Sequence, residues 1–320
     1  MKSLLRLLCL SAAIIPFFSN AQFEWTDTEG ECLDLKNGKR SIARYVYEEI
    51  DESTPGRREE TYKPFCHIYQ PSSSDSFITK GPGGKFTHHR GIFFGFSKVS
   101  YTDESGKEHK NIDTWHCRDA HQIHRKFLKQ EADEDSASFT AEIDWIDTEG
   151  NVFAKEKRTM TFSLDEKDVV VDFESTLTPT VPSVHLDGDP QHAGFQFRAH
   201  NDVNEKSQNA TYYLRPAGKG EPGQAINWSP KTDSDKTRNQ AWKALCFTLD
   251  NKQYTVSYLD HPENPKPARY SERAYGRFGS YFVADVTPEN PLTVRYRLVI
   301  HEGEMEVEEV AALSKAFAGK

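Results

Sequence analysis

The sequence predicts an all-β protein built as a large antiparallel β-sandwich. Apolar and polar residues alternate with a period of two along most of the 320-residue chain, which is typical of strands with one buried face. Turn residues separate these stretches at the spacing expected of antiparallel strands. Apolar spacing of helical period is nearly absent before the C-terminal tail. Length alone allows one large all-β domain or two smaller ones.

The N-terminal segment 1–21 is predicted to be a secretory signal peptide rather than part of the fold. Lys2 and Arg6 precede an apolar run that closes with the small residues of Ser19-Asn20-Ala21, the pattern of a cleavage site. A membrane anchor is the alternative, but a spanning helix needs roughly 20 apolar residues. We therefore expect an exported protein, periplasmic or secreted, without membrane insertion after cleavage. Residues 22–320 are expected to form a single β-sandwich domain with a short C-terminal helix.

The clearest strand pattern lies in residues 137–145, where Ala, Phe, Ala, Ile and Trp occupy the odd positions and polar residues the even ones. Further strands are predicted in 152–161, 169–173, 281–283 and 292–300. The tail from Glu304 to Ala318 is the best helix candidate, and a second, short helix is predicted near Ala120–Lys129.

Two polar stretches interrupt the strand pattern, at 71–84 and 201–238. A linker between domains would explain the second. We interpret both as surface loops of one domain, because the strands on either side need partners.

Four cysteines remain after residue 21, at positions 32, 66, 117 and 246. In an exported protein they could form two disulfides with three possible connectivities. Buried free thiols are an equal alternative, because a chain of this size needs no covalent staples. No Cys-x-x-Cys pair is present, which argues against zinc-ribbon and thioredoxin sites.

The charge balance excludes one class of partner. The chain has 40 basic and 49 acidic residues, giving a formal net charge of −9. A nucleic-acid-binding protein would show a basic stripe instead.

The segment from His192 to His200 is the most informative one. As a strand it places alternate Ala and Phe residues against the core, and His192, Gln196, Arg198 and His200 on the other face. Two imidazoles, an amide and a guanidinium suit a polyhydroxylated or anionic ligand better than open solvent. The loop entering this strand carries Asp187 and Asp189. A polar strand packed under a loop is the structural alternative.

A second cluster is the Gly-rich loop that ends in His88-His89-Arg90-Gly91. Neighbouring residues of an extended chain point in opposite directions, so both histidines face one pocket only if the loop bends there. The glycines do not match a phosphate-binding loop, which needs Gly-Lys-Ser/Thr at the start of a helix.

A third group consists of His116, His121 and His124, and it raises the question of a metal. The spacing of a zinc-protease helix is absent. A three-histidine site assembled from distant strands stays open, with surface or ligand-binding histidines as the preferred interpretation.

The fourth cluster runs from Arg269 to Tyr281. Treated as one strand, it places Arg273, Tyr275, Arg277 and Tyr281 on one side, where they could grip an acidic group and stack on a sugar ring. Pairing of the arginines with acidic loops is the alternative.

Several of these motifs together resemble the bacterial family often labelled PmoA-like, a group without an established activity. The resemblance is carried by Lys63–His67, His88–Gly91, Leu186–Ala199, Arg277–Tyr281 and Tyr296–Val299 and covers roughly residues 23–301. The label suggests a methane-oxidising membrane protein, but such a subunit needs several spanning helices, and none follows the signal segment. We therefore treat the label as misleading. Because the family has no established activity, the resemblance assigns no catalytic residues to this chain.

The many strands and the late Arg/Tyr-rich segment are also similar to galactose-mutarotase-like supersandwiches. This similarity implies a protein that binds or processes sugars on a concave sheet face, often with a histidine as acid and a carboxylate or second histidine as base. Fold alone does not assign the function.

We therefore predict an exported carbohydrate-active enzyme that acts on neutral or anionic glycans by general acid–base chemistry. His88 or His89 and His192 are the candidate acid and base, because imidazole titrates near neutral pH. A lyase, epimerase or dehydratase fits better than a retaining hydrolase, which needs two carboxylates about 5 Å apart. The predicted substrate-binding residues are Arg90, His116, Asp187, Asp189, Gln196, Arg198, His200, Arg273, Tyr275 and Arg277.

Within that set the arginines 198, 273 and 277 are expected to bind an anionic group or stabilise developing charge. Asp187 or Asp189 is expected to orient a histidine or to contact hydroxyls. No cofactor is predicted. The two rival hypotheses are a non-catalytic sugar-binding module and a metal-dependent hydrolase.

Overall fold

The computed structural model describes residues 22–319, so the predicted signal segment 1–21 lies outside the described residues. Within the described part the chain forms 21 strands and two α-helices. The strands are β1 (Phe23–Thr28), β2 (Cys32–Asn37), β3 (Arg40–Val46), β4 (Phe65–Ile68), β5 (Ile92–Phe96), β6 (Lys98–Thr102), β7 (Glu108–Ile112), β8 (His121–Ala132), β9 (Ser136–Ile146), β10 (Val152–Asp165), β11 (Asp168–Pro179), β12 (Ser183–Asp187), β13 (Ala193–Arg198), β14 (Tyr212–Arg215), β15 (Gly218–Lys219), β16 (Trp242–Leu249), β17 (Lys252–Asp260), β18 (Arg269–Arg273), β19 (Arg277–Tyr281), β20 (Ala284–Val286) and β21 (Leu292–Glu302). The helices are α1 (Pro55–Thr61) and α2 (Val307–Ala318), and short π and 3-10 turns occupy Val203–Ser207 and Gln208–Ala210.

The strands form three antiparallel sheets. The first has eight strands in the order β1-β2-β3-β4-β5-β13-β19-β18, and the second has nine in the order β15-β14-β16-β17-β21-β11-β10-β9-β8. A smaller sheet, β20-β12-β6-β7, completes the described fold.

The eight- and nine-stranded sheets pack face to face around one aromatic-rich core. Phe195 of β13 stacks on Tyr296 of β21 at 4.7 Å and lies 4.4 Å from Phe173 of β11, between ring centroids. All three rings are nearly inaccessible to solvent, and burial of such rings is the main stabilising term of a sandwich. The predicted all-β antiparallel sandwich is confirmed.

The period-two pattern located the strands well. The five apolar residues at odd positions of 137–145 lie within β9 and are at most 1% exposed. The C-terminal helix is also confirmed, although it begins at Val307 rather than at 304. Glu306 caps it: its side chain accepts a main-chain N–H while the Glu309 side chain accepts the N–H of Glu306, which fixes the start.

The short helix predicted near Ala120–Lys129 is wrong, because this segment is the edge strand β8. Two register shifts, at His124/Lys126 and Phe127/Lys129, interrupt its pairing with β9. Bulges of this kind break strict alternation, so the apolar spacing imitates a helix. The sequence prediction also missed α1, where Thr54 caps the first turn and Pro55 begins the helix, both ordinary start signals.

The segment from Arg269 to Tyr281 is a hairpin, not a single strand as predicted. Strands β18 and β19 pair antiparallel with Arg273 opposite Arg277, and Gly276 turns the chain at φ +84°. Because paired residues share a face, Arg273, Arg277 and Tyr281 still lie on one side, while Tyr275 lies at the tip.

The long polar stretch 201–238 is less irregular than predicted. It contributes β14 and β15 to the edge of the nine-stranded sheet. The stretch 71–84 contains no regular strand or helix and is a loop, as predicted.

Two further properties bear on the predictions. Cys32, Cys66, Cys117 and Cys246 are all free thiols in the structure. The alternative with free thiols therefore holds, and the one with two disulfides does not. Neither of the helices in residues 22–319 has the length and apolar composition needed to cross a lipid bilayer.

Gly194 allows β13 to pack beside β19, and we expect it to be sensitive to substitution. Its φ is +81°, and an added Cβ would lie 2.1 Å from the carbonyl oxygen of Ser280. Gly194→Ala should lower the free energy of unfolding by about 2–3 kcal/mol. Chemical denaturation measures this, with Gly30→Ala as the control.

The control separates the two causes. Gly30 has a similar φ of +79° with no atom within 4 Å of an added Cβ, so its substitution carries the dihedral cost alone, about 1 kcal/mol. Equal losses in the two variants would contradict the steric explanation for Gly194.

Candidate functional site

Three histidines from separate segments converge at one end of β13. His88, His116 and His192 each offer a ring nitrogen, and these three atoms lie within 4.8 Å of one another. The ring centroids are 4.5 Å apart for His88–His116, 4.7 Å for His116–His192 and 5.8 Å for His88–His192. We call these three residues the histidine cluster.

Two histidines of the cluster each contact the side chain of an aspartate three residues earlier in the sequence. Nδ1 of His116 lies 2.7 Å from a carboxylate oxygen of Asp113, and Nδ1 of His192 lies 3.0 Å from Asp189. A carboxylate beside Nδ1 fixes the proton on that nitrogen and leaves Nε2 with a free lone pair. Both aspartates therefore orient their histidines for contact with something else.

Asp113 also builds the turn that carries His116. Its carboxylate accepts the main-chain N–H groups of Trp115 and His116, at 3.0 and 2.9 Å. Burial raises the pKa of this carboxyl, but the hydrogen bonds from His116 outweigh it, so the net pKa lies below the usual value. Asp113 is thus an anion at neutral pH.

A glycine lets this turn reach the sheet. An added Cβ on Gly95 of β5 would lie 2.7 Å from the carbonyl oxygen of Thr114. Thr114 is further tied to β5, because its N–H donates to the carbonyl of Phe96 at 2.9 Å. The backbone before His116 is therefore fixed on the outer face of the eight-stranded sheet, opposite the core.

The loop that carries His88 is closed by main-chain bonds to β13. Gly91 donates to the carbonyl of Lys80 at 2.8 Å, and Lys80 donates to that of Arg198 at 3.1 Å. Inside the loop, the main-chain N–H of His89 donates to the carbonyl of Phe86 and closes a turn. This is the bend that lets His88 and His89 lie on the same side, with ring centroids 4.2 Å apart.

His89 lies beneath the cluster and is only 2% exposed. Its ring is nearly parallel to that of His192, with centroids 6.0 Å apart, and neither of its nitrogens has a hydrogen-bond partner among the described residues. Burial, followed by repulsion from Arg277, His88 and Arg198, holds the pKa of His89 well below its usual value. His89 is therefore neutral.

His88 is in a similar electrostatic environment. Burial, together with the nearby His116 and Lys63, lowers the pKa of His88 to about 2. Its Nε2 is buried and has no partner among the described residues. A neutral imidazole with an open nitrogen can accept a hydrogen bond or bind a cation.

A pocket of about 430 Å³ opens beside the cluster, within the usual size of small-molecule sites, ~300–1,000 Å³. His88 and His116 form one part of its wall. The other lining residues are Pro55, Arg58, Glu59, Tyr62, Thr87, Cys117 and Arg118. Arg118 is exposed and forms no ion pair within residues 22–319, so its guanidinium is available to a ligand.

On the other side of His89, the fully buried Arg198 lies next to the half-buried Tyr275. The guanidinium of Arg198 lies 4.8 Å from the centre of the Tyr275 ring. One of its nitrogens donates to the carbonyls of Ala199 and Tyr275. Its Nε and Nη2 are buried without a partner among the described residues. Phe86, whose ring lies 5.0 Å from Tyr275, is 36% exposed.

Three other predicted ligand residues use most of their polar groups internally. Arg277 donates to Gln196 Oε1 at 3.1 Å and to Ser271 at 2.9 Å, and Gln196 donates to the carbonyl of Ala193. Arg90 donates to the carbonyls at the end of α1. All three are fully buried, so their main effect is to hold the sheet and the loop in place.

The remaining predicted residues make their hydrogen bonds outside the cluster. Nδ1 of His200 accepts the N–H of Asp202 beyond the other end of β13. Asp187 accepts the N–H of Gly188 within its own turn, so Asp189 is the aspartate that orients His192. Arg273 donates to the carbonyl of Glu272.

Sequence reasoning missed two residues of the site, Asp113 and Lys63. The repeated Asp-x-x-His pattern, at 113–116 and 189–192, could have revealed the first. Lys63 is 2% exposed, and its ammonium donates to the carbonyl of Trp115 next to His116. Burial lowers the pKa of Lys63 to about 7. Lys63 belongs to the Lys63–His67 motif, but nothing in that motif assigns it a role at the site.

Comparison with known proteins places the chain in one family. A family model described as a family of unknown function, DUF6807, matches residues 32–315. No curated protein matches the sequence. The resemblance to the PmoA-like family stays a prediction.

Similar solved structures include three carbohydrate-related proteins. A galactose mutarotase related enzyme from Lactobacillus acidophilus is 10% identical, with 89% of this chain and 99% of that chain covered and a TM-score of 0.40. A galactose mutarotase-like protein from Lactobacillus casei is 6% identical, with 87% and 100% covered and a TM-score of 0.39. A GH36 α-galactosidase from Geobacillus stearothermophilus is 11% identical, with 88% and 40% covered and a TM-score of 0.36. At these values the likenesses carry no information about chemistry.

Proposed function

The chain belongs to the DUF6807 family, which has no assigned function, and we propose that it is an exported carbohydrate-active enzyme whose reaction centre is the histidine cluster. The observation that carries the proposal is the convergence of His88, His116 and His192 beside a pocket. Two of them are fixed by aspartates. Orienting two histidines in this way is a feature of reactive sites.

The substrate class follows from the groups around the cluster. The exposed guanidinium of Arg118 can bind carboxylate, sulfate or hydroxyl oxygens. The exposed ring of Phe86 and the adjacent Tyr275 offer an aromatic surface against which the apolar face of a sugar ring can pack. A hydroxylated substrate with an acidic group, such as a uronic or sulfated sugar, fits both features.

The imidazoles suit proton-transfer chemistry better than glycosidic hydrolysis by paired carboxylates. The two carboxylates that contact the cluster, Asp113 and Asp189, already hold Nδ1 of His116 and His192, so neither is free to act as a nucleophile. A lyase, epimerase or dehydratase needs a base and charge stabilisation instead. We propose this class of reaction.

A product assay on the purified protein tests the proposal. The protein is incubated with neutral, uronic and sulfated oligosaccharides, and product mass, configuration by NMR and the absorbance of a newly formed conjugated double bond are recorded. An unsaturated product, an inverted centre or loss of water supports a lyase, epimerase or dehydratase respectively. Sugar binding without any product would overturn the enzyme in favour of a sugar-binding module, and gain of water would overturn the reaction class in favour of a hydrolase.

A further inference from the structure

We propose that His88, His116 and His192 form a binding site for one divalent transition-metal ion of the zinc type. The cluster brings together one nitrogen from each of three imidazoles. Imidazole is a preferred ligand of such metals, and three histidines are an established catalytic zinc set. The metal would be a cofactor at the same pocket. Its catalytic role rests on the proposed function, whereas metal binding by the three histidines does not.

The distances are compatible with coordination after small side-chain movements. Tetrahedral ligands at about 2.1 Å from zinc lie about 3.4 Å from one another. The three nitrogens here lie within 4.8 Å of one another. Rotations that move each nitrogen by about 1 Å close the difference, and the rings are less tightly packed than core residues because all three are partly exposed.

The surroundings of the ligands provide the second observation. A histidine that binds a metal usually donates its other ring N–H to a carboxylate, which fixes its orientation and strengthens the ligand. Asp113 and Asp189 do this for two of the three residues. Nε2 of His88 is buried without a partner among the described residues, which is costly unless a ligand binds there.

The geometry indicates an open, reactive site rather than a structural one. A structural zinc site is closed by four protein ligands, whereas a catalytic site has three and leaves a position for water or substrate. The cluster supplies three nitrogens, and His88 and His116 face the pocket. A metal-bound water could then serve as the base that the proposed reaction needs.

Metal analysis with cobalt substitution tests the site. The protein is purified from zinc-supplemented medium, its metal content is measured, and after chelation it is titrated with Co²⁺ while the visible spectrum is recorded. We expect one metal per chain and the intense bands of tetrahedral Co²⁺. Only trace metal with no cobalt spectrum would overturn the proposal.

Three variants connect the signal to these residues. His116→Ala should abolish stoichiometric binding, and Asp113→Asn, which retains an acceptor for the turn, should weaken affinity 10–100-fold. His185→Ala is the matched control, because His185 also pairs with an aspartate, Asp285 at 2.7 Å, but is outside the cluster. Equal metal binding by His116→Ala and the unaltered protein would overturn the site. Circular dichroism checks that each variant is folded. If His116→Ala does not fold, the metal affinity of Asp113→Asn tests the proposal instead.

The same preparation separates this inference from the proposed function. Stoichiometric metal without turnover of any carbohydrate contradicts the enzyme and supports the metal site. Full turnover by chelated, metal-free protein overturns the metal as the catalytic cofactor and supports acid–base chemistry by the imidazoles themselves.

Discussion

His192→Ala should lower turnover of the carbohydrate substrate by about 10²–10⁴-fold while changing stability little. The ring of His192 is one of the three that converge, and no other side chain of the cluster can replace its nitrogen. Its side chain is 27% exposed, and among residues 22–319 its hydrogen-bond partner is Asp189 of its own loop, so truncation should cost about 1 kcal/mol or less. The kcat with the substrate identified in the product assay and the thermal midpoint are the two measurements.

The matched control is His301→Ala. His301 also holds an aspartate through Nδ1, Asp168 at 2.8 Å, but it lies on β21 in the other large sheet. We expect normal turnover in this variant. A large fall in the thermal midpoint of His192→Ala, with kcat preserved at temperatures where it is folded, would make His192 a structural residue and contradict its role.

The sequence located the polar face of β13 and most of the histidines, but not their arrangement. Alternation in a strand is a local property, so it assigned Gln196 and Arg198 correctly to the face opposite the core. Whether such a residue is free is a non-local property. The side chain of Gln196 accepts a hydrogen bond from Arg277, which is 81 positions away, whereas two nitrogens of Arg198 have no partner in the part of the chain that the structure describes.

The cluster itself depends on turns rather than strands. His88 and His89 lie on one side because the N–H of His89 closes a turn to Phe86, and Phe86 takes a positive φ of 59° that no sequence pattern announces for an aromatic residue. His116 reaches the cluster because Gly95 leaves space for the Thr114 carbonyl. The strands could be predicted from alternation, whereas the positions of His88 and His116 in the cluster depend on tertiary packing.

Glu272→Gln should produce the largest loss of stability, about 3–5 kcal/mol in the free energy of unfolding. Glu272 is fully buried on the core side of β18, where it accepts hydrogen bonds from Lys243 at 2.6 Å, Arg215 at 2.6 and 3.0 Å and the N–H of Ile226 at 2.9 Å. It therefore joins the eight-stranded sheet to β14 and β16 of the nine-stranded one. The substitution leaves the equally buried Lys243 ammonium without its counter-charge.

Denaturant unfolding at several pH values measures the loss and identifies its cause. Burial raises the pKa of Glu272, but attraction to Lys243 and the hydrogen bond from Arg215 outweigh it, so the folded pKa lies below the usual value. A carboxyl with a depressed pKa stabilises the fold fully above its unfolded pKa, ~4.3, and loses that contribution as the pH falls through the folded value. The difference between Glu272→Gln and the unaltered protein should therefore be full at neutral pH and shrink in acid.

Glu174→Gln is the control, because it removes the carboxylate of a similar ion pair that is exposed to solvent. Glu174 is 48% exposed and pairs with Arg295, so its loss should cost less than about 1 kcal/mol. Similar losses in the two variants would contradict the assignment of Glu272 as a buried electrostatic link. Glu272 faces the core, whereas the histidine cluster lies on the outer side of the sheet. The folded fraction of Glu272→Gln should therefore retain normal turnover. This result would separate the stabilising role of Glu272 from the catalytic role of the histidine cluster.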